Sequence, residues 1–206
     1  MFKFRRKRTL SFYQKKRVIT PKLLKEILSW IIITCVAILL AFIIVYFYGT
    51  RIGNVGDSME ETIANGQGIL VNRTAYKVFR PKKNDVIVFL PNGNVNSHYY
   101  VKRVVATSGD RVQIIDGELY VNGEPRKDNY DKMENGGIAS NEITLGSGEY
   151  FVLGDNRNGS EDSRSPNIGI VKDNMIVGKA WYKLRFGNRS GGFINRSKTD
   201  KKMVNI

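Results

Sequence analysis

From Ile27 to Tyr48 the chain carries no charged residue, and the pattern predicts a single apolar helix there. About 22 residues at about 1.5 Å each span roughly 33 Å, enough for a hydrocarbon core near 30 Å. Trp30 at one end and Tyr46 and Tyr48 at the other suit the two interfaces of a bilayer. Ser29 and Thr34 are tolerable inside it because their hydroxyls can bond back to helix carbonyls. A cleaved secretory leader has a shorter apolar region and small residues before the cut. This run is longer and ends in Tyr46-Phe47-Tyr48, so the pattern predicts an uncleaved anchor.

Beyond the helix the apolar positions change period, with almost no helical spacing. Gly68 to Asn72, Asp85 to Leu90, Tyr99 to Ala106, Arg111 to Ile115, Glu118 to Val121, Glu149 to Leu153 and Met175 to Phe186 read as strands. The run Val86-Ile87-Val88-Phe89 is continuously apolar and predicts burial on both faces. Asp116-Gly117 between two strands is a strong hairpin signal, and Asn122-Gly123 turns the chain again. Residues 124–148 are polar and rich in Gly and Asn, and read as a surface excursion. The fold class predicted is mostly β, with one N-terminal transmembrane helix followed by an antiparallel sheet or barrel-like domain. The expected boundaries are a basic segment over 1–26, the helix over 27–48, the β domain over 49–186 and a polar basic tail over 187–206.

The net charge of +14 raises the question of nucleic acid, and its distribution answers against it. Ten Lys or Arg residues precede the apolar run, opposed only by Glu26, and the tail holds much of the remainder. A basic segment ahead of a spanning helix predicts a cytoplasmic N-terminus and an extracytoplasmic β domain. It also predicts attraction to anionic membrane lipid. Cys35 is the only cysteine and lies in the apolar run; His98 is the only histidine. Neither an internal disulfide nor a zinc site of ordinary ligands can be assembled from them, so no metal is expected. No organic cofactor is called for.

Three stretches carry candidate chemistry. Gly56-Asp57-Ser58-Met59 places a hydroxyl in a small-residue turn shortly after the anchor. On the strand Tyr99 to Ala106, alternation puts Tyr100, Lys102, Val104 and Ala106 on one face. A lysine there either carries its ammonium to water past the strand edge or surrenders its charge, and a neutral amine can act as a base toward serine. Arg103 puts a cation on the opposite face as well, so alternation alone leaves the inward face undecided. The third stretch, Gly154 to Arg164, is dense in Asp, Asn and Ser; Asp162 and Arg164 could pair, and Ser160 could orient a neighbouring amine. A calcium loop counted from Asp155 would need ligands at Arg157 and Gly159, which fits badly.

Taken together, these stretches resemble the type I signal peptidases, membrane-anchored serine proteases that remove secretory signal peptides. Ser58-Met59-Glu60-Glu61-Thr62-Ile63 resembles the family's S-M-x-P-T-L box, with Glu61 in the proline place. Asp85 to Phe89 resembles its G-D-[IV]-V-x-F strand, with Asn84 in the glycine place. Lys102-Arg103-Val104-Val105, followed by Gly109-Asp110, resembles the lysine box. Gly154 to Arg164 matches G-D-N-x-x-x-S-x-D-S-R at every specified position.

The resemblance implies a Ser/Lys endopeptidase without a cofactor, acting on secretory preproteins. Ser58 would be the nucleophile and Lys102 its base; Ser160 would orient Lys102, while Asp162 and Arg164 hold the surrounding loop. Some members carry an oxyanion-holding hydroxyl where this chain has Gly56, so backbone N–H groups including that of Ser58 would bear that task. Two other readings remain open from the residues. One is a non-catalytic membrane-anchored β module binding an envelope partner. The other is a Ser/Lys protease with another target, such as pilin-like proteins.

Overall fold

The computed structural model describes residues 20–94, 98–126 and 130–194. The first part of the basic segment, residues 1–19, and the end of the tail, from 195, lie outside the described residues. The chain divides into two units, one ending at Phe42 and the other beginning at Ile43.

Most of helix α1 (Pro21–Tyr48) falls in the first unit. It starts ahead of the apolar run because Pro21 suits a first helical position and the Thr20 hydroxyl accepts from the Leu23 N–H at 3.4 Å. Ser29 and Thr34 donate their hydroxyls to the carbonyls of Lys25 and Trp30 at 3.0 and 2.8 Å. Within Pro21–Phe47 an 18-residue stretch reaches a mean hydropathy of 3.0, so the helix is long and apolar enough to cross a membrane.

The second unit is antiparallel β. Its strands are β1 (Thr50–Gly53), β2 (Gly68–Asn72), β3 (Val86–Phe89), β4 (Tyr100–Ala106), β5 (Arg111–Ile115) and β6 (Glu118–Val121). They continue as β7 (Glu124–Pro125), β8 (Ile143–Thr144), β9 (Glu149–Leu153), β10 (Val171–Lys172), β11 (Ile176–Lys183) and β12 (Gly192–Phe193). The larger sheet runs β1-β2-β11-β3-β4-β9-β10, with β12 paired to β11; the smaller runs β7-β6-β5-β8. The late strand β11 thus lies between β2 and β3, an order that no local turn signal announces.

Local chemistry accounts for the hairpins. Asp116 and Gly117 take φ of 49° and 76°, and Asn122 and Gly123 take 58° and 80°. Two consecutive left-handed residues make the turn whose twist suits a tight antiparallel pair, and Asp, Asn and Gly tolerate that region best.

All four residues of β3 are buried, as the continuous apolar run predicts. One face of the sheet packs Val86, Val88 and Val101 with Ile69, Val71, Met59 and Ile63; the other packs Ile87, Phe89 and Val104 with Tyr150 and Val152. Three readings need correction. The excursion over 124–148 contributes Met133, Ala139 and Leu145 to a third core with Val112, Ile114 and Phe151. Its apolar residues are too sparse to show a period, yet each is placed by the chain around it. Strand β1 escaped notice because only Ile52 in it is buried. Beyond Phe186, in the stretch read as tail, β12 pairs with β11 through Tyr182 and Phe193.

Candidate active site

Gly56 adopts φ of 84°, which lets the chain turn sharply before Ser58. The next residues form a short helical turn: Glu60 N–H donates to Asp57 O at 3.0 Å and Ile63 N–H to Met59 O at 2.7 Å. Met59 and Ile63, one turn apart, are both fully buried against the Val88 and Val101 face. Ser58 is therefore fixed between a left-handed glycine and a core anchor, with its own side chain half-buried. Asn54 braces the start of the turn, donating to Ala64 O at 3.0 Å and Gly56 O at 3.2 Å.

Strand β4 brings in the amine. Lys102 stands opposite Ile87 and is 3% exposed; its Nζ lies 2.6 Å from Ser58 Oγ. Burial lowers its pKa to about 8, against the opposing pull of Asp162 and Glu161. Among the described residues no carboxylate lies within ion-pair distance of this amine. The Tyr100 ring sits 5.4 Å from it and is itself packed by Phe89 and stacked by His98. Tyr100 donates its hydroxyl to Glu161 at 3.4 Å. Burial, then Glu161, raises the Tyr100 pKa, so the ring beside the amine stays neutral.

Arg103, the next residue, meets the opposite fate on the opposite face. It is 2% exposed, and its guanidinium donates through Nε and Nη2 to Asp155 at 2.7 and 2.6 Å. Burial works against its charge, but the bonds to Asp155 outweigh that and its pKa is raised. Asp155 Oδ2 also accepts from the Thr62 hydroxyl at 2.6 Å. One carboxylate thus joins β4, the loop after β9 and the turn that carries Ser58. Sequence reading did not assign this role to Arg103, Asp155 or Thr62; the available signal was a second cation on a strand otherwise apolar.

The loop Gly154 to Arg164 closes the site. Asn156 donates its backbone N–H to Ser58 O at 3.1 Å and its side-chain amide to Asp57 O at 3.3 Å. Asp162 is buried; it accepts from Gly154 N–H at 3.1 Å and from the Arg164 fork at 2.8 and 2.9 Å. Arg164 further ties Arg157 O. Ser163 exchanges bonds with the Val152 backbone at 3.0 and 3.1 Å, fastening the loop to β9.

Ser160 stands apart from the expected pattern. Its hydroxyl is buried against Gly154 and has no hydrogen-bond partner among the described residues, so its expected contact with Lys102 is not formed. Gly56 offers no donor beyond its backbone, and a Cβ there would meet nothing within 4 Å. Asn84, in the family's glycine place, takes φ of 74°, the region that Asn tolerates after Gly. Glu61, in the proline place, takes φ of 73°, which a proline ring forbids. Among the described residues there is no cluster of three His, Cys, Asp or Glu suited to a metal.

Comparison with known proteins adds an independent line. The profile of the family described as Signal peptidase, peptidase S26, matches residues 27–184. Signal peptidase IB of Staphylococcus aureus (strain COL) is 35% identical over 179 residues, covering 78% of this chain and 90% of the relative. Signal peptidase I T of Bacillus subtilis (strain 168) is 32% identical over 160 residues, covering 73% and 81%. Among solved structures, a signal peptidase I from Enterococcus faecalis V583 is 30% identical with a TM-score of 0.39, covering 49% of this chain and 97% of that one.

Proposed function

The chain belongs to the peptidase S26 family of signal peptidases, and from that premise we propose that it cleaves signal peptides with Ser58 as nucleophile and Lys102 as general base. The observation that carries this assignment is the 2.6 Å approach of Ser58 Oγ to a buried amine whose pKa is lowered to about 8. An ordinary lysine, near 10.4, is neutral in fewer than about one molecule in a thousand at pH 7. At a pKa of about 8 the neutral share rises to roughly a tenth.

Neutral Lys102 takes the hydroxyl proton as Ser58 Oγ attacks the scissile carbonyl carbon. The oxyanion of the tetrahedral intermediate is met by the Ser58 N–H, since Gly56 supplies no hydroxyl. A missing oxyanion donor costs about 10²–10³ in rate where nothing replaces it. Protonated Lys102 then gives its proton to the departing amine of the mature protein, leaving an acyl ester on Ser58. Water, deprotonated by the same amine, hydrolyses the ester and frees the signal peptide. Asp162, Arg164, Asp155 and Asn156 hold the loop against the nucleophile turn and touch no reacting atom.

The substrate is a secretory preprotein, consistent with the family. It would lie as an extended strand beside Tyr100 to Lys102, because the ladder from β4 to β9 begins only at Arg103. Helix α1 anchors the enzyme in the membrane, N-terminus cytoplasmic and β domain outside.

The assignment is tested by incubating the detergent-solubilised full chain with a signal-bearing preprotein, beside Ser58→Ala and Lys102→Met. Both variants should lose cleavage. Processing that persists in either one rules out the dyad, and no processing by the wild type would favour a target other than signal peptides.

A further inference from the structure

The family match ends at residue 184, and the chain beyond it turns back onto the segment that carries Ser58. Phe186 and Arg189 form a bridge, β12 pairs with β11, and Ile194 N–H donates to Trp181 O at 3.0 Å. The end of β11 and this hairpin are attached along the nucleophile segment at successive points. Lys183 Nζ donates to Thr62 O at 2.6 Å, and the Arg189 guanidinium pairs with Glu60. Gln67 donates its side-chain amide to Leu184 O at 2.7 Å, and Leu184 N–H donates to Gly68 O at 2.8 Å. The Phe186 ring lies over Gly66, where a Cβ would stand 3.3 Å from it.

On this side of the turn the chain lacks a constraint. Glu61 stands where the family pattern has proline, and its φ of 73° is one a proline cannot take. The backbone after Ser58 is thus free of the ring that would fix it, and the other bracing comes from Thr62 to Asp155 and Asn156 to Ser58. We infer that the end of β11 and the hairpin after it form a latch that fixes the nucleophile turn in place of that proline, with Lys183 as its principal positioning residue and Arg189 as an auxiliary one. The inference rests on Ser58 being the nucleophile. Lys183 outranks Arg189 because its ammonium is partly desolvated and donates to a backbone carbonyl, whereas the Arg189 side chain that pairs with Glu60 is half exposed and the pair is screened by water.

The test measures kcat, KM and Tm of the full chain in detergent, with a signal-bearing preprotein, for Lys183→Met, Lys183→Arg and Arg189→Gln. A turn held about 1 Å off its productive place costs up to about a hundredfold in rate. Lys183→Met should therefore lower kcat about 5- to 50-fold, with KM within about twofold and Tm little changed. Lys183→Arg, which keeps a donor for Thr62 O, should recover most of that loss; Arg189→Gln should cost about two- to threefold. The latch is overturned if Lys183→Met keeps its kcat, if Lys183→Arg fails to recover it, or if the loss falls on KM or Tm instead. A Ser58→Ala enzyme that still cleaves would remove the nucleophile assignment itself. An inactive Ser58→Ala beside an unimpaired Lys183→Met removes the latch alone.

Discussion

Ser58 Oγ lies 2.6 Å from Lys102 Nζ, and the amine is held there by burial without an ion-paired carboxylate among the described residues. Its neighbour Arg103 is equally buried but donates a bidentate pair of bonds to Asp155. Two adjacent cations in one strand are therefore treated in opposite ways. Partnering preserves the charge of Arg103, while desolvation lowers the pKa of Lys102 to about 8. Only the second treatment produces a base that can work near neutral pH.

The first prediction concerns pH. With Lys102 proposed as the base, its neutral amine is the reactive form, and kcat/KM should rise with pH and level off above an apparent pKa of about 8. Below it, each pH unit should cost about tenfold. Initial rates of preprotein cleavage across pH 5.5 to 9.5 check this, and a flat profile would count against Lys102 as the base.

Burial of Lys102 should also cost stability. Lowering the pKa from the ordinary lysine value to about 8 corresponds to about 3 kcal/mol held against the charged form. The folded-state pKa is lowered, so the unfolded chain binds more protons between about pH 8 and 10.5 and stability should rise with pH across that window. The penalty is fully present below about pH 8. Lys102→Met should therefore be more stable than wild type at pH 7, by about 1–3 kcal/mol, and should lose that rise. Thermal melts of the two proteins at pH 7 and pH 10 measure both effects.

Gly154 should not tolerate a side chain. A Cβ there would stand 2.2 Å from Ser160 Oγ and 2.5 Å from Ser58 O. The Ser160 hydroxyl can rotate away, but Ser160 Cβ and the Ser58 carbonyl are fixed by the backbone and can yield only by moving the loop or the turn. Gly154→Ala should lower kcat by about a hundredfold or more, with a destabilisation of about 1–3 kcal/mol. Cleavage kinetics beside a chemical melt separate the two losses.

Glu61 yields a prediction of opposite signs. With φ of 73°, Glu61→Gly should stabilise the protein by up to about 1 kcal/mol, because glycine takes that region without steric cost. Glu61→Pro, which restores the family's residue, should destabilise it and reduce cleavage, because this backbone cannot accept the ring. Urea unfolding midpoints and preprotein cleavage rates check the pair.

The sequence by itself determined the apolar helix, the antiparallel β class, the hairpins at Asp116-Gly117 and Asn122-Gly123, and the four boxes that bring Ser58, Lys102 and the Gly154 to Arg164 loop into question. These are legible because charge exclusion, alternation and left-handed turn residues act over a few positions. Tertiary structure alone decided the rest. Burial of Lys102 and Arg103 depends on strands and a loop distant in the chain, so alternation could not say which cation would be neutral and which paired. The insertion of β11 between β2 and β3 leaves no local mark either, since ladder bonds between remote strands are written in neither one. That insertion carries Lys183 to Thr62 and the late hairpin to the turn around Ser58. A polar, basic stretch with one Phe in a short strand shows no period from which such a contact can be read; it exists only once the sheet has closed.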